Sequence, residues 1–127
     1  MAVSKVHGAQ RDAAIAGVDL SNSLFRFCVK NASKEVVLAG AGAEVVGVIY
    51  ETAPLGRPAT FAMAGTGVIA KVEAGAAVAV NAKIMSNASG QAVTATLGNA
   101  AVGIARSSAA AAGDIIELYF NNVTDVA

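Results

Sequence analysis

Short segments with alternating apolar and polar positions follow one another along most of the chain. Residues 68–73 and 116–120 place an apolar side chain at every second position, which is the period of a strand with one buried face. Residues 35–39 and 44–50 are rich in valine and apolar on both faces, as is typical of strands covered on both sides. Gly, Asn, Ser or Pro bounds each segment. This spacing predicts an all-β fold, a compact small barrel or sandwich of about eight or more short strands.

Other segments extend this prediction. Further strands are expected at residues 25–30, 60–64, 78–85, 93–97 and 102–104. In the first of them Arg26, Cys28 and Lys30 occupy alternate positions, so we expect one apolar and one cationic face. The alanine-rich run 107–112, which ends at Gly113, is the one place where a helical turn is expected. Six residues are too few for a helix to be stable alone.

Small side chains dominate the composition, because Ala, Val and Gly supply 60 of the 127 residues. A core of such residues buries little area per side chain, so we expect subunit contacts to add stability. Residues 1–13 are polar and not periodic and are expected to form an extended N-terminal arm. Residues 14–127 are expected to form a single β domain, which this length allows.

The net charge of zero hides an uneven distribution. Residues 1–34 carry five basic and two acidic side chains, whereas residues 35–127 carry four basic and seven acidic ones. The asymmetry is either chance in a small sample or a basic N-terminal face that docks on an acidic partner. The sequence has no basic cluster with interleaved aromatic side chains, so nucleic-acid binding is not expected.

Membrane insertion is not expected either. The longest stretch without a charge, residues 84–105, contains seven polar side chains, and a spanning helix needs about 20 predominantly apolar residues. The first twelve residues lack the apolar core of a secretory signal. A single cysteine, Cys28, cannot form an internal disulfide and suits a reducing compartment.

One segment matches a cofactor motif by its letters. Gly65-Thr-Gly67-Val-Ile-Ala70 fits the glycine fingerprint of dinucleotide-binding folds. That fingerprint must lead from a strand into a helix, but period-two alternation continues after Gly67. The acidic residue expected about 20 positions further on is also missing. We therefore expect these glycines to permit a tight hairpin or a bulge, and no cofactor is expected.

The remaining reactive side chains do not form a catalytic or metal site in the sequence. His7 is the only histidine and has no Cys, Asp or Glu at ligand spacing, whereas zinc needs three or four protein ligands. Arg26 and Lys30 could lower the pKa of Cys28, but the only histidine that could act as its base lies in the arm. A partly buried structural cysteine is the favoured interpretation, and the protein is not expected to be an enzyme.

Residues 36–120 resemble the capsid decoration (head cement) proteins of tailed phages. The stretches that carry the resemblance are Glu44-Val-Val-Gly-Val48, Gly67-Val-Ile-Ala-Lys-Val-Glu-Ala-Gly75, Val78-Ala-Val80, Ser89-Gly-Gln-Ala-Val93, Ala101-Val-Gly-Ile-Ala105 and Ala109-Ala-Ala-Ala-Gly-Asp-Ile-Ile-Glu-Leu118. They form a pattern of small residues rather than a catalytic signature. The first 34 residues depart from the pattern because they are longer and more basic.

The resemblance implies a structural protein of the virion, made in the host cytoplasm and bound to the outer surface of an expanded phage head. Its partners would be the major capsid protein and further copies of itself, as a homotrimer or alternatively a dimer. The basic N-terminal side chains would then contact the capsid. These candidate contact residues are Lys5, His7, Arg11, Arg26 and Lys30.

Two alternatives stay open. Residues 71–80 have the rhythm of a biotinyl or lipoyl carrier domain, and Ala82-Lys-Ile-Met85 faintly resembles the turn that holds the modified lysine. Lys83, however, is expected within a strand, two or three residues before the turn, whereas carriers place that lysine at an exposed hairpin tip. The other alternative is a neck or tail structural protein of a phage.

Overall fold

In the computed structural model, residues 11–65, 68–96 and 101–120 are described, and over these residues the chain forms ten β-strands and no helix. The strands are β1 (Arg11–Ile15), β2 (Phe27–Lys30), β3 (Val36–Leu38), β4 (Gly47–Glu51), β5 (Pro58–Met63), β6 (Ile69–Glu73), β7 (Lys83–Ser86), β8 (Ala92–Thr94), β9 (Gly103–Ala105) and β10 (Ile115–Phe120). The predicted all-β fold is therefore confirmed.

The strands form two five-stranded sheets of identical order. One sheet runs β1-β5-β4-β2-β3 and the other β6-β10-β9-β7-β8, and all neighbouring strands are antiparallel. Single parallel bridges, Ala16 to Val36 and Ala74 to Ala92, join the two edges of each sheet. Each sheet is thus curled into a small barrel that closes at one point. We call the barrel of β1–β5 lobe 1 and that of β6–β10 lobe 2.

Lobe 2 repeats the backbone hydrogen bonds of lobe 1 with residue numbers 56–58 higher. Gly17 N donates to Val36 O, and Gly75 N donates to Ala92 O, both at 2.8 Å. A further pair of matching bonds runs from Phe25 N to Ile49 O and from Asn81 N to Ala105 O. The chain is therefore an internal duplication, a feature that the sequence analysis missed.

A shared asparagine turn supports the duplication. The side-chain oxygens of Asn31 and Asn87 each accept hydrogen bonds from the backbone N–H groups two and four positions later, at 2.8–3.0 Å. The residues three positions after the asparagines, Lys34 and Gly90, have φ angles of 63° and 76°, a conformation that favours glycine. The repeated Asn-Ala-Ser triplets were therefore the strongest sequence signal of the repeat.

Each barrel has an apolar interior built from equivalent positions. The interior of lobe 1 is formed by Ala16, Leu20, Cys28, Val36, Ile49, Ala53, Ala59 and Phe61. The residues 56–58 positions later are likewise buried in lobe 2, and they are Ala74, Val78, Ile84, Ala92, Ala105, Ala109, Ile116 and Leu118. Small residues suffice because the barrels are narrow.

The outer face of lobe 1 packs against lobe 2. Phe27 lies edge-on to Phe120 with ring centroids 6.5 Å apart, and Val48 and Ala62 are buried in the same cluster. Lys71 N donates to the hydroxyl oxygen of Tyr50 at 2.8 Å. Strand β4 is thus covered on both faces over residues 47–50, which explains the apolar run there that the sequence analysis predicted.

Some local predictions were wrong. Of the predicted strand 78–85 only residues 83–85 lie in a strand, as part of β7. Asn81 adopts a φ of 71°, which interrupts the extended backbone before β7. Phe25, with a φ of 63°, delays β2 in the same way until Phe27. Residues 107–112 form no helix. Residues 11–13 of the predicted arm belong to β1, and residues 1–10 lie outside the described part.

Candidate interaction surfaces

The structure describes three of the five predicted contact residues, Arg11, Arg26 and Lys30. Lys5 and His7 lie outside the described residues, and Arg11 is exposed at the start of β1. The predicted cationic face of residues 26–30 is wrong, because Cys28 points into the lobe 1 interior and is fully buried. The contact of these side chains with a capsid stays a prediction.

Arg26 holds the two lobes together. Its Nη2 lies 3.1 Å from Glu73 Oε2, its Nη1 donates to Ser89 O at 3.2 Å, and both side chains of the ion pair are about four-fifths buried. Gln91 Nε2 donates to the same Glu73 oxygen at 2.6 Å. A partly buried, multiply bonded arginine of this kind positions its surroundings, so its charge is used within the chain.

Lys30 is also engaged within lobe 1. Its Nζ lies 3.4 Å from Asp12 Oδ2 and 5.7 Å from the centroid of the Phe61 ring. The pKa of Asp12 lies below its usual value, chiefly because Ala13 N donates to the carboxylate and also because Lys30 is near. Asp12 thus balances the charge of Lys30, and Arg11 is left as the basic neighbour on β1.

Cys28 is not placed for nucleophilic chemistry. Burial raises the pKa of its thiol to about 12, against a smaller opposing effect of Lys30. The thiol is therefore neutral at physiological pH, and a neutral thiol is a poor nucleophile. The predicted structural cysteine is confirmed and is more deeply buried than expected.

The structure also shows where the remaining sequence motifs lie. In the described part of the chain, no three His, Cys, Asp or Glu side chains are grouped so that they could hold a metal ion. No helix there is long and apolar enough to cross a membrane. The Gly65 segment leads into strand β6 rather than into a helix. Lys83 begins β7 and does not occupy the tip of the β7–β8 hairpin, as the argument against a carrier domain expected.

Lobe 2 exposes an apolar groove on the face of β6, β10 and β9. The groove has a volume of about 530 Å³ and is lined by Ile69, Asn81, Ile104, Ala105, Arg106 and Tyr119. Tyr119 lies between Ile69 and Ile104 as their cross-strand partner and is 39% exposed. Aromatic and branched side chains in a concave row, with a cation beside them, are typical of protein contact surfaces.

An all-β fold of two barrels with apolar contact faces and no grouped reactive side chains in its described part is typical of a structural or binding module. The family model of phage cement proteins matches residues 29–120. The chain therefore belongs to the phage cement protein family and is a phage structural protein, which confirms the resemblance found in the sequence.

Solved structures show the same fold. The crystal structure of the head fiber gp8.5 N base in bacteriophage phi29 superposes with a TM-score of 0.75 at 16% sequence identity, covering 94% of this chain and 98% of that chain. At this identity the likeness concerns the fold. Comparison with curated protein sequences found no match.

Proposed function

We propose that this protein decorates the outer surface of an expanded phage head and stabilises it by bridging neighbouring capsomers. The observation that carries the proposal is the cement family match over residues 29–120. The protein would bind the major capsid protein and associate with copies of itself, as a homotrimer or alternatively a dimer. Synthesis in the host cytoplasm and assembly onto the finished shell follow from this role.

The fold supports a clamp by its rigidity. Two closed barrels leave few free sheet edges, and their tightly packed small side chains resist deformation. Arg26 and Tyr50 tie lobe 1 to lobe 2 through polar contacts in addition to the apolar core. These contacts would allow a clamp of this kind to transmit force between two attachment points.

The decisive experiment adds the purified protein to expanded and unexpanded capsids that lack it. We expect saturable binding to expanded capsids alone, together with a higher temperature of capsid disruption. Equal binding to both forms would contradict the dependence on expansion. Binding to isolated necks or tails and not to heads would favour the neck or tail alternative.

The N-terminal arm is proposed as the anchor, through Lys5, His7 and Arg11. Deletion of residues 1–10 tests this without removing β1, whose five residues all pair with β5. We expect the truncated protein to keep its fold and to bind expanded capsids more weakly. Charge reversal by Lys5→Glu together with Arg11→Glu should weaken binding most at low salt, because exposed charges are screened beyond about 10 Å at 0.1 M salt. Unchanged binding of both variants would remove the arm from the mechanism.

A further inference from the structure

Because the two lobes repeat the same structure, the groove of lobe 2 can be compared with the equivalent surface of lobe 1. Across lobe 1 the paired residues Ala62, Val48 and Phe27 form a row over β5, β4 and β2. The equivalent row across lobe 2 is Tyr119, Ile104 and Lys83 over β10, β9 and β7. We call these rows, with Tyr50 in lobe 1 and Arg106 in lobe 2, the packing faces of the two lobes.

The two packing faces differ in what covers them. In lobe 1 the face is buried, because lobe 2 lies against it. In lobe 2 three of the four equivalent residues, Ile104, Arg106 and Tyr119, line the groove, and the fourth, Lys83, is exposed. Within the described residues, the same surface of the repeated unit is thus covered in lobe 1 and open in lobe 2.

The surface of lobe 2 that covers the packing face of lobe 1 also has an equivalent, which lies on lobe 1. In lobe 2 it consists of β6, the turn 87–91 and Phe120, which contact lobe 1 through Lys71 N, Glu73 N and Gly90 O. We call this the receiving face. Its counterpart in lobe 1 consists of β1, the turn 31–35 and Met63, and it is largely exposed, with Ile15 43% and Met63 41% accessible.

We propose that the groove of lobe 2 binds the receiving face of lobe 1 on a second copy of this chain. The contact repeats between molecules the packing that joins the two lobes within one molecule. It is heterologous, since each copy contributes a different surface, and such contacts generate rings or filaments. This deepens the self-association in the proposed function by naming its two surfaces.

Charges on the two open surfaces are complementary at one point. Within the chain, the hydroxyl of Tyr50 accepts from Lys71 N. The residue equivalent to Lys71 in lobe 1 is Ala13, whose N–H donates to the Asp12 carboxylate at 2.8 Å. Arg106 takes the place of Tyr50, and its Nη1 lies 3.8 Å from Glu117 Oε1 of its own lobe. In the contact between copies its guanidinium would also meet the Asp12 carboxylate, which Lys30 approaches from lobe 1, where the lobe contact has a hydroxyl and an N–H.

One position departs from the equivalence. Lys34 stands in the turn of lobe 1 where lobe 2 has Gly90, and a Cβ at Gly90 would lie 2.8 Å from Phe27 O. The turn of the second copy must therefore sit slightly further from lobe 2 than turn 87–91 sits from lobe 1. Replacement of Lys34 by glycine would remove this obstacle.

The test measures the mass of the protein in solution by analytical ultracentrifugation over a range of concentrations. Wild type should associate, and Tyr119→Glu and Ile15→Glu should each weaken association at least about tenfold, as expected for a charge placed at the centre of an apolar contact. Lys34→Gly should strengthen it. The matched control is Ile115→Glu, since Ile115 is 44% exposed on the same strand and face as Tyr119 but does not line the groove.

Mixing the two disruptive variants gives the sharpest result. Tyr119→Glu keeps an intact receiving face and Ile15→Glu keeps an intact groove, so an equimolar mixture should form a one-to-one pair that neither variant forms alone. Wild type that stays monomeric, an Ile15→Glu variant that associates normally, or a mixture without the pair would overturn the proposal. Circular dichroism verifies that each variant is folded.

Capsid binding by the same variants separates this proposal from the proposed function. In one outcome, the variants lose self-association while the wild type does not bind capsids. That result would overturn the decoration role alone. A wild type that binds capsids but does not associate in solution would overturn the contact between copies alone.

Discussion

Phe27 and Lys83 occupy equivalent positions in the two lobes, at the same place in strands β2 and β7, yet Phe27 is completely buried and Lys83 is exposed. Phe27 fills the contact between the lobes, where its ring meets Phe120. At the equivalent place on lobe 2 the side chain is exposed, and there the chain carries a cation. The same backbone position thus carries an apolar side chain where another lobe covers it and a charged side chain where it is exposed.

This difference predicts opposite sensitivities to substitution. Phe27→Ala should lower the free energy of unfolding by about 3–5 kcal/mol, because it leaves a cavity at the lobe contact. Lys83→Ala should change it by no more than about 0.5 kcal/mol, as is usual for exposed positions. Urea denaturation of the two variants measures both values. Similar losses in the two variants would contradict the assignment of the lobe contact.

Two glycines at equivalent positions are predicted to be irreplaceable. A Cβ at Gly47 would overlap the carbonyl oxygen of Ala62, and one at Gly103 would overlap that of Tyr119. Gly47→Ala and Gly103→Ala should therefore each cost about 1–3 kcal/mol or more, because the paired strands must move apart. Gly40→Ala is the matched control, since nothing lies within 4 Å of its Cβ, and thermal unfolding should show it to be neutral or slightly stabilising.

The asparagine turns are predicted to contribute equally to both lobes. Asn31→Ala and Asn87→Ala each remove an oxygen that accepts two backbone N–H groups, and each should cost about 1–2 kcal/mol in chemical denaturation. Asn87→Asp keeps the accepting oxygen and should retain most of the stability. If Asn87→Asp lost as much as Asn87→Ala, the accepting oxygen would not be the stabilising group.

Stability at alkaline pH should depend on Cys28. Burial raises the pKa of its thiol from the ordinary 9.0 to about 12, so between these values the unfolded chain loses the proton and the folded chain keeps it. Fewer protons are then bound in the unfolded state, and stability falls as pH rises through this range. Between pH 7 and pH 10 the wild type should lose roughly 1 to 1.5 kcal/mol more than Cys28→Ala, which has no thiol.

The two proteins in that comparison share all other titrating groups. Tyr50, whose pKa burial also raises, is present in both and cancels in the difference. Denaturation midpoints at the two pH values give the result directly. An identical pH dependence of wild type and Cys28→Ala would show that the thiol is not protected by burial.

The sequence by itself determined the class of the fold and the absence of a recognisable catalytic motif. Period-two alternation and the turn residues located most strands, because a half-buried strand requires apolar side chains on one face only. Of residues 44–50, which were expected to be covered on both sides, residues 47–50 are buried, whereas Glu44 is exposed and residues 44–46 precede the strand. The pattern of small residues also identified the family, which the match over residues 29–120 confirmed.

Strand ends were harder to predict because backbone conformation decided them. Phe25 and Asn81 adopt positive φ angles in equivalent places. Phenylalanine rarely does so, and asparagine, although enriched at positive φ, signals such a turn less strongly than glycine. The alternation of apolar and polar residues therefore continues in the sequence beyond the ends of the strands. The repeat itself was visible only in scattered identities such as the two Asn-Ala-Ser triplets, since the lobes preserve hydrogen bonding far better than side chains.

Only the tertiary structure decided which surfaces are covered. Arg26 and Lys30 looked like a cationic docking face, but Glu73 and Asp12 neutralise them from strands distant in sequence. Tyr119 looked like an ordinary strand residue, but the fold leaves it 39% exposed in a groove, whereas its equivalent Ala62 in lobe 1 is buried against lobe 2. Local sequence sets the shape of each barrel, whereas the burial or exposure of its faces follows from which other surface lies against it, and that is a long-range property of the folded chain.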